Sequence, residues 1–312
     1  MKPEIFQITP MMPHVEAALR DAYTVHRLWD ALDAPSLLAD AGPRVRAVAT
    51  DGHAGLAPDV MARLPCLEII ASYGVGYDAI DIPACTAKGV HVTNTPDVLN
   101  DAVAEMTIGL MVSLCRRIPQ ADRFVREGAW LEKGYPLTGE LTGARAGILG
   151  LGRIGKEIAR RLEVFKMEIA YHGRQEQPGQ PYRYFADLTD MARHVDWLVI
   201  IAPGTPETAG IVSRDVLEGL GPDGHLVNIA RGSLVDEPAM VDLLQSGKLG
   251  GAALDVFADE PQVPNELMSL DNVVLSPHQG SATTRTRTAM GDLVVRNLAA
   301  HFAGEPLISP VV

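Results

Sequence analysis

The chain has 312 residues, which is long enough for two domains of ordinary size, and 47% of them are hydrophobic. Its formal net charge of −12 argues against nucleic acid or an anionic membrane as the main partner. Three widely spaced cysteines fit neither a disulfide framework nor a zinc site, so we expect buried free thiols, no metal and a reducing, cytoplasmic compartment. We expect neither a signal peptide nor a membrane-spanning segment.

The first hundred residues alternate short apolar strands with polar turns and amphipathic helices, a pattern typical of a parallel sheet covered by helices. Strands are predicted at residues 45–50, 67–71 and 90–94, and the second of them leads into a glycine-containing loop, Tyr73-Gly74-Val75-Gly76. A helix is predicted next, from Val98 to Arg117. Because its apolar residues lie nearly all round, we expect it to be buried between domains.

A second series of strands begins at residue 146 and continues at 167–171, 197–201, 225–229, 251–256 and 273–275. Six strands with intervening helices are what a complete dinucleotide-binding sheet requires. We therefore predict an α/β fold with two Rossmann-like, doubly wound parallel-sheet domains and a cleft between them. Residues 1–96 plus 286–312 would form a flavodoxin-like substrate domain, and residues 97–285 the dinucleotide-binding domain. A last helix is predicted at 284–302.

A glycine-rich turn follows the first strand of the second series and opens a helix predicted from Lys156 to Leu162. Its Gly-x-Gly-x-x-Gly spacing allows a tight turn, close approach of a pyrophosphate, and close packing of helix on strand. Free N–H groups at the helix N-terminus favour the phosphates. We predict that the dinucleotide is bound by Gly150, Leu151, Gly152, Arg153, Ile154 and Gly155. A structural turn, or a nucleoside-cofactor methyltransferase with a similar loop, is the alternative.

The end of the next strand indicates which dinucleotide is bound. An acid there would hold the ribose 2′-hydroxyl of NAD, but the sequence reads Tyr171-His172-Gly173-Arg174. The planar guanidinium of Arg174, with His172 and Gly173 beside it, suits the 2′-phosphate of NADP. We therefore expect NADP(H) to be preferred and NAD(H) to be possible, since Glu176 would oppose this preference if the loop folded differently.

Three polar residues, Arg231, Glu260 and His278, each follow a strand of the second series. The carboxyl ends of parallel strands lie at one edge of a sheet, where α/β proteins bind ligands. Reduction of a 2-oxo acid needs a cation for the carboxylate and carbonyl oxygen, and an acid that titrates near neutral pH. Arg231 and His278 meet these needs, and the Glu260 carboxylate would orient the imidazole and favour its charged form.

With these motifs the sequence resembles the D-isomer-specific 2-hydroxyacid dehydrogenases over nearly its whole length. The resemblance rests on the glycine turn and on segments 227–232, 253–257 with Glu260-Pro261, and 276–281. It implies that Arg231 binds substrate, that His278 is the general acid/base and that Glu260 supports it. It also implies that backbone N–H groups of Tyr73, Gly74, Val75 and Gly76 receive the substrate carboxylate. The further cofactor contacts that it implies are Thr107, Ala202, Pro203, Thr208, Ile229, Ala230, Asp255, His278 and Gly280.

Within that family, segments 94–101 and 135–138 are most similar to the NADPH-using glyoxylate, hydroxypyruvate and hydroxyphenylpyruvate reductases. The resemblance implies reduction of a small 2-oxo acid to the D-2-hydroxy acid, with hydroxypyruvate and glyoxylate preferred to aromatic substrates. It also implies a homodimer formed through the cofactor-binding domains. In that dimer Trp130 either reaches toward the partner's active site or only anchors the interface.

Two alternatives remain open. One is an NAD(P)H-sensing binding protein of the same fold, similar to the C-terminal-binding-protein corepressors, which would leave the charged trio unexplained. The other is a hydroxyphenylpyruvate reductase or a D-lactate-type dehydrogenase within the enzyme class. A difference of one methylene is worth only about 1–3 kcal/mol in such pockets, so pocket residues alone do not decide the substrate. The candidate pocket residues are Leu56, Tyr73, Val75, Tyr77 and Trp130.

Overall fold

The computed structural model describes residues 2–312 and divides into two compact units. Unit 1 is formed by the residues up to Leu99 together with Ser281–Val312, and unit 2 by Asn100–Gly280. The predicted domain boundaries, after residue 96 and before residue 286, differ from these bounds by three and five residues and stay a prediction. Each unit is built on one parallel sheet, so the predicted α/β class with two parallel-sheet domains is confirmed.

The regular elements alternate along the chain as strand and helix. The strands are β1 Glu4–Gln7, β2 Thr24–Arg27, β3 Val45–Asp51, β4 Ile69–Tyr73, β5 His91–Thr93, β6 Arg145–Leu149, β7 Glu168–His172, β8 Arg183–Tyr184, β9 Trp197–Ile200, β10 His225–Asn228, β11 Gly251–Leu254 and β12 Val273–Leu275. The helices are α1 Pro13–Ala22, α2 Ala34–Ala41, α3 Pro58–Met61, α4 Ile82–Lys88, α5 Asn100–Cys115, α6 Ile118–Arg126, α7 Arg153–Val164, α8 Leu188–His194, α9 Arg214–Leu220, α10 Glu237–Gln245, α11 Asn265–Met268 and α12 Thr284–Ala303.

The sheet of unit 1 has five parallel strands in the order β2-β1-β3-β4-β5, which is the flavodoxin-like order. Its central strands β3 and β4 are buried over nearly their whole length, as expected for a sheet with both faces covered. In register, Asp51 at the end of β3 lies opposite Tyr73 at the end of β4. The loops that follow these two strands therefore begin side by side at one edge of the sheet.

The sheet of unit 2 has seven parallel strands in the order β12-β11-β10-β9-β6-β7-β8. The strand order reverses between β6 and β9, which is the switch point at which a dinucleotide-binding sheet takes its ligand. The two-residue strand β8 was not predicted, because so short a segment carries no measurable periodicity. Its pairing with β7 places the segment after residue 182 beside the end of β7.

Helix α5 is shorter at both ends than the predicted helix from Val98 to Arg117. Arg117 adopts a left-handed conformation, with φ of 51°, and Ile118-Pro119 begins the next helix. A proline in the first turn of a helix does not destabilise that helix, because the missing N–H has no partner there, but it prevents the preceding helix from continuing through it. Helix α5 buries seven residues within unit 2, consistent with its apolar composition.

One ion pair joins the starts of two neighbouring strands of unit 2. The Arg145 guanidinium donates hydrogen bonds of 2.6 and 3.2 Å to the two carboxylate oxygens of Asp196, which precedes β9. These hydrogen bonds hold the pKa of the Asp196 carboxyl below its usual range. The pair lies at the amino edge of the sheet, opposite the edge that carries the predicted site.

The prediction of three buried thiols is confirmed for Cys85 alone. All three cysteines are free, but Cys66 is exposed, Cys85 is buried and Cys115 is intermediate. Cys66 follows Pro65 in the loop before β4, where its apolar neighbours in sequence do not cover it. Of the helices within residues 2–312, none is long and apolar enough to cross a membrane.

Candidate active site

The glycine-rich turn lies between β6 and α7, at the switch point of the unit 2 sheet. Gly150 has φ of +99°, and a Cβ there would approach the backbone nitrogen of Ala202 to 2.8 Å. A Cβ at Gly155 would overlap the carbonyl oxygen of Gly150. A Cβ at Gly152, by contrast, would meet nothing within 4 Å, so open space lies beside this residue. Packing thus excludes side chains at Gly150 and Gly155, and at Gly152 a ligand could approach the backbone closely.

The remaining residues of this turn differ in exposure. Gly152 and Arg153 are exposed at the first turn of α7, Ile154 is half-buried and Leu151 is buried. Helix α7 is twelve residues long and places free N–H groups at its start. A nicotinamide dinucleotide would be held here by the backbone of 150–155, since the turn offers N–H donors and room for the phosphates.

The end of β7 presents the residues predicted to select the dinucleotide. The His172 imidazole nitrogen Nδ1 lies 2.9 Å from the carbonyl oxygen of Phe185, and the Gly173 carbonyl accepts a hydrogen bond from the Tyr184 hydroxyl. Arg174 and Glu176 are both exposed beyond Gly173. The structure therefore fixes His172 and Gly173 in place and leaves the Arg174 side chain free to meet a ligand from solvent.

Arg231 lies in the loop after β10 and is half-buried. The buried Asn228 side chain donates to the Arg231 carbonyl at 2.9 Å and accepts from the Ala230 N–H at 3.1 Å. The Arg231 guanidinium donates a hydrogen bond of 2.7 Å to the Ala230 carbonyl. Asn228 therefore fixes the turn that carries the arginine.

The loop after β11 carries Glu260, and its main chain closely approaches the main chain of the Arg231 loop at Gly232. A Cβ at Gly232 would overlap the carbonyl group of Phe257, so only glycine fits at position 232. One oxygen of the Glu260 carboxylate accepts a hydrogen bond of 3.0 Å from the Phe257 N–H. The Glu260 side chain is thereby held with its second oxygen directed at His278.

His278 and Glu260 form a close pair. The imidazole Nδ1 lies 2.7 Å from the second carboxylate oxygen of Glu260. A carboxylate accepts hydrogen bonds and cannot donate one, so this contact places a proton on Nδ1 and selects the orientation of the ring. The Glu260 side chain is mostly buried, whereas the His278 side chain is 41% exposed. Nε2 is the ring nitrogen left to exchange a proton with a substrate.

Asp255 organises the loop that carries His278. Its carboxylate oxygens accept hydrogen bonds of 2.9 Å from the Gln279 N–H and 2.8 Å from the Gly280 N–H. Its carbonyl accepts the His278 N–H at 2.8 Å. His278 itself has φ of 49°, a left-handed conformation that non-glycine residues rarely adopt. Three hydrogen bonds to one buried residue therefore hold the histidine in an otherwise unfavourable backbone geometry.

The other predicted cofactor contacts lie in unit 2, most of them after β9 and β10. Thr208 closes the loop after β9, since its hydroxyl donates to the Pro203 carbonyl at 2.8 Å. A Cβ at Gly204 in that loop would lie 3.0 Å from the Arg231 side chain, so the loop adjoins the arginine. Ala202, Ile229 and Ala230 are buried at the ends of β9 and β10. Thr107 is fully buried in α5, and its hydroxyl donates to the Val103 carbonyl.

The loop predicted to receive a carboxylate lies in unit 1, after β4. The Tyr73 side chain is buried and donates to the Arg287 carbonyl, and burial raises the pKa of its hydroxyl. The Asn94 amide donates to the Val75 carbonyl at 2.9 Å, and the Thr95 N–H donates to the Gly74 carbonyl at 2.8 Å. Both carbonyls are thus held, and the N–H of the next residue in each trans peptide, Val75 or Gly76, points in the opposite direction.

The candidate pocket residues differ in exposure. Leu56 is buried, like Tyr73, within unit 1, whereas Tyr77 is partly exposed. Trp130 lies in unit 2 and is 67% exposed. The structure therefore brings together Arg231, Glu260, His278 and Asp255 in unit 2, and it holds the loop 73–76 in unit 1.

Sequence reasoning missed several positioning residues. Asn228 lies in segment 227–232, which carries the family resemblance, but the sequence did not indicate a role for it. Neither Asn94 nor Gln177 was singled out. The available signal for Asn228 was its position, since it is a polar residue only three positions before the predicted site residue Arg231. The role of Gln177 depends on a contact with residue 151, and no local pattern indicates such a contact.

Comparison with known proteins agrees with this geometry. Residues 108–280 match the family model of the D-isomer specific 2-hydroxyacid dehydrogenase, NAD binding domain. The chain is 46% identical over 308 residues to hydroxyphenylpyruvate reductase of Plectranthus scutellarioides, with 99% of this chain and 98% of that relative covered. It is 45% identical over 308 residues to a glyoxylate/hydroxypyruvate reductase A of Arabidopsis thaliana, with the same coverage of 99% and 98%.

A solved structure is similar over the whole chain. The NADPH-dependent glyoxylate/hydroxypyruvate reductase of Sinorhizobium meliloti, in complex with NADP and malonate, has a TM-score of 0.95 at 44% identity. The match covers 100% of this chain and 97% of that one. These similarities confirm the resemblance predicted from the motifs. The chain belongs to the D-isomer specific 2-hydroxyacid dehydrogenase family and is an enzyme of that family.

Proposed function

We propose that the chain reduces a small 2-oxo acid, hydroxypyruvate or glyoxylate, to the D-2-hydroxy acid with NADPH. The observation that carries this proposal is the 2.7 Å contact between His278 Nδ1 and the mostly buried Glu260 carboxylate, which leaves Nε2 for the substrate. Arg231, on the neighbouring loop, supplies the cation that a 2-oxo acid requires. The names of the relatives support the substrate class.

In this reaction the chain binds the substrate, polarises it and supplies a proton. The Arg231 guanidinium binds the carboxylate and the carbonyl oxygen, drawing charge away from the carbonyl carbon. His278 Nε2 donates its proton to that oxygen as the C–O bond becomes an alkoxide. Glu260 stabilises the imidazolium before the transfer and orients the ring throughout. NADPH, when bound, supplies the hydride that adds to the carbonyl carbon.

We assign the cofactor to unit 2 with the adenine ribose at the end of β7. The 2′-phosphate would be gripped by Arg174, whose guanidinium is exposed beyond Gly173. No carboxylate ends β7 to hold a 2′-hydroxyl instead. The NADP-bound structure of the Sinorhizobium meliloti reductase supports the same preference. The role of the Tyr73–Gly76 loop as receiver of the substrate carboxylate stays a prediction, and malonate bound to the same relative is compatible with a carboxylate site.

The test is a panel of initial rates with each cofactor. NADPH and NADH oxidation would be followed with hydroxypyruvate, glyoxylate, pyruvate and hydroxyphenylpyruvate. We expect rapid oxidation of NADPH with hydroxypyruvate or glyoxylate, and slower oxidation with NADH. If all eight combinations were inactive in protein that binds NADPH, the proposed substrates would be wrong, and another 2-oxo acid or a cofactor-sensing role would replace them.

Hydroxyphenylpyruvate is the second candidate substrate. The relative from Plectranthus scutellarioides, which is 46% identical, is named for this activity. Exclusive turnover of hydroxyphenylpyruvate in the panel would favour it over the small polar acids. The reaction chemistry would be unchanged, because both substrates carry the same 2-oxo carboxylate.

We further propose that two chains associate through their cofactor-binding units, in the cytoplasm. The supporting observation is a set of five exposed hydrophobic side chains on residues 118–137 of unit 2, which we call the cluster and which a partner chain would cover. Leu131 and Leu137 are 94% and 100% exposed. The cluster consists of Ile118, Val125, Trp130, Leu131 and Leu137. Free thiols at all three cysteines are consistent with a reducing compartment.

The dimer is tested by adding charge to this cluster. The double variant Leu131→Asp, Leu137→Asp should elute as a monomer in size-exclusion chromatography with light scattering, because buried carboxylates oppose association. Val164→Asp is the matched control, since Val164 is 81% exposed in unit 2 but lies outside the cluster. A dimer that survived the double substitution would place the interface elsewhere.

A further inference from the structure

The loop after β7 is fixed at both ends and exposed between them. Gly173 is held by the Tyr184 hydroxyl, which donates to its carbonyl. Gln177 is held by the buried Tyr171 hydroxyl, which accepts the Gln177 N–H at 2.7 Å. Residues 174–176, which we call the tip, are all exposed. Arg174 therefore projects from a short segment whose two ends have defined positions.

Gln177 also contacts the glycine-rich turn directly. Its side-chain amide Nε2 donates a hydrogen bond of 2.8 Å to the carbonyl oxygen of Leu151. This hydrogen bond joins the residue that follows the tip to the glycine-rich turn.

We propose that Gln177 is a positioning residue for cofactor choice, because it joins the tip that carries Arg174 to the turn that receives the pyrophosphate. The inference rests on the proposed NADPH preference. A 2′-phosphate and a pyrophosphate are parts of one molecule, so a ligand that contacts both sites requires a set distance between them. The hydrogen bond from Gln177 to Leu151 sets that distance in the free protein, before any cofactor is bound.

This arrangement affects the two cofactors differently. NADH contacts the pyrophosphate site but has no group for Arg174, so its binding does not depend on the position of the tip. NADPH contacts both sites and loses affinity when the tip moves. The expected consequence of losing the Gln177 side-chain hydrogen bond is a loss of discrimination between the two cofactors, with little loss of binding to NADH.

The experiment measures dissociation constants of NADPH and NADH by calorimetric titration, without substrate. Gln177→Leu removes the amide and leaves a shorter, apolar side chain that cannot donate a hydrogen bond. We expect it to raise the dissociation constant of NADPH about tenfold and that of NADH less than about threefold. Gln180→Leu is the matched control, because it makes the same chemical change three residues on, where the side chain is half-buried and outside the tip. It should change neither constant.

A second measurement shows whether Gln177 acts through Arg174. Arg174→Ala should weaken NADPH much more than NADH, and adding Gln177→Leu to it should cause little further loss of NADPH binding. Equal weakening of both cofactors by Gln177→Leu, no effect of that variant, or fully additive losses in the double variant would overturn the inference. If Arg174→Ala left the ratio of the two constants unchanged, the proposed NADPH preference would fail and the inference with it. NADH binding that persists shows that the variants fold.

Discussion

Replacement of His278 by alanine should lower turnover by about 10²–10⁴-fold and leave NADPH affinity nearly intact. The reason is that Nε2 is the group assigned to protonate the carbonyl oxygen, and its loss leaves water as the only donor. Asp255 and Glu260, which hold the loop, keep their own backbone partners in the variant. Steady-state rates with the best substrate of the panel, together with a calorimetric titration of NADPH, measure both quantities.

The left-handed backbone at residue 278 complicates an alanine substitution, because alanine tolerates positive φ less well than histidine. His278→Asn is the matched variant, since asparagine adopts this conformation readily but supplies no proton near neutral pH. Both variants should show the same large loss of turnover. If asparagine restored activity to within about threefold of the native rate, the proton would have to come from another group.

Replacement of Arg231 by glutamine should lower kcat/KM for the 2-oxo acid by about 10²–10³-fold. Glutamine can still donate hydrogen bonds, but it brings no positive charge to the substrate carboxylate or to the oxygen on which charge develops. Asn228 continues to hold the turn through the main chain of residues 230 and 231, so the loop geometry should persist. The dissociation constant of NADPH should change little.

The companion variant is Arg231→Lys, which keeps the charge but lacks the planar pair of donors. It should retain more activity than the glutamine variant and less than the native enzyme. A native kcat/KM in the glutamine variant would remove Arg231 from substrate binding. An equal loss for lysine and glutamine would show that the two-pronged geometry, not the charge, is what the reaction requires.

Site residues could be predicted from the sequence where a charged or titratable side chain directly follows a predicted strand. Arg231, Glu260 and His278 follow β10, β11 and β12, and carboxyl ends of parallel strands necessarily meet at one edge. The glycine turn was equally accessible, because its spacing follows from steric contacts between a strand, a helix and a phosphate. Fold class and family followed from the same features and were confirmed by the comparisons.

What the sequence did not reveal depends on contacts between distant residues. The left-handed conformation of His278 arises because Asp255, more than twenty residues earlier, accepts its N–H group and those of the next two residues. The contact between Gln177 and Leu151 has the same long-range character. The exposure of Cys66 was missed because the apolar residues next to it in sequence do not determine which side chains cover it in the fold.

The contact of Gly232 with Phe257 bears on how such an enzyme can acquire a new substrate. At this contact the two main chains touch directly, with no side chain between them. A substitution of a core side chain therefore cannot change the distance between the two main chains at this point. The spacing between the arginine loop and the glutamate loop is therefore insensitive to the ordinary drift of apolar residues around it. Adaptation to a larger or smaller 2-oxo acid would have to proceed through residues outside these two loops, while the reaction chemistry stays constant.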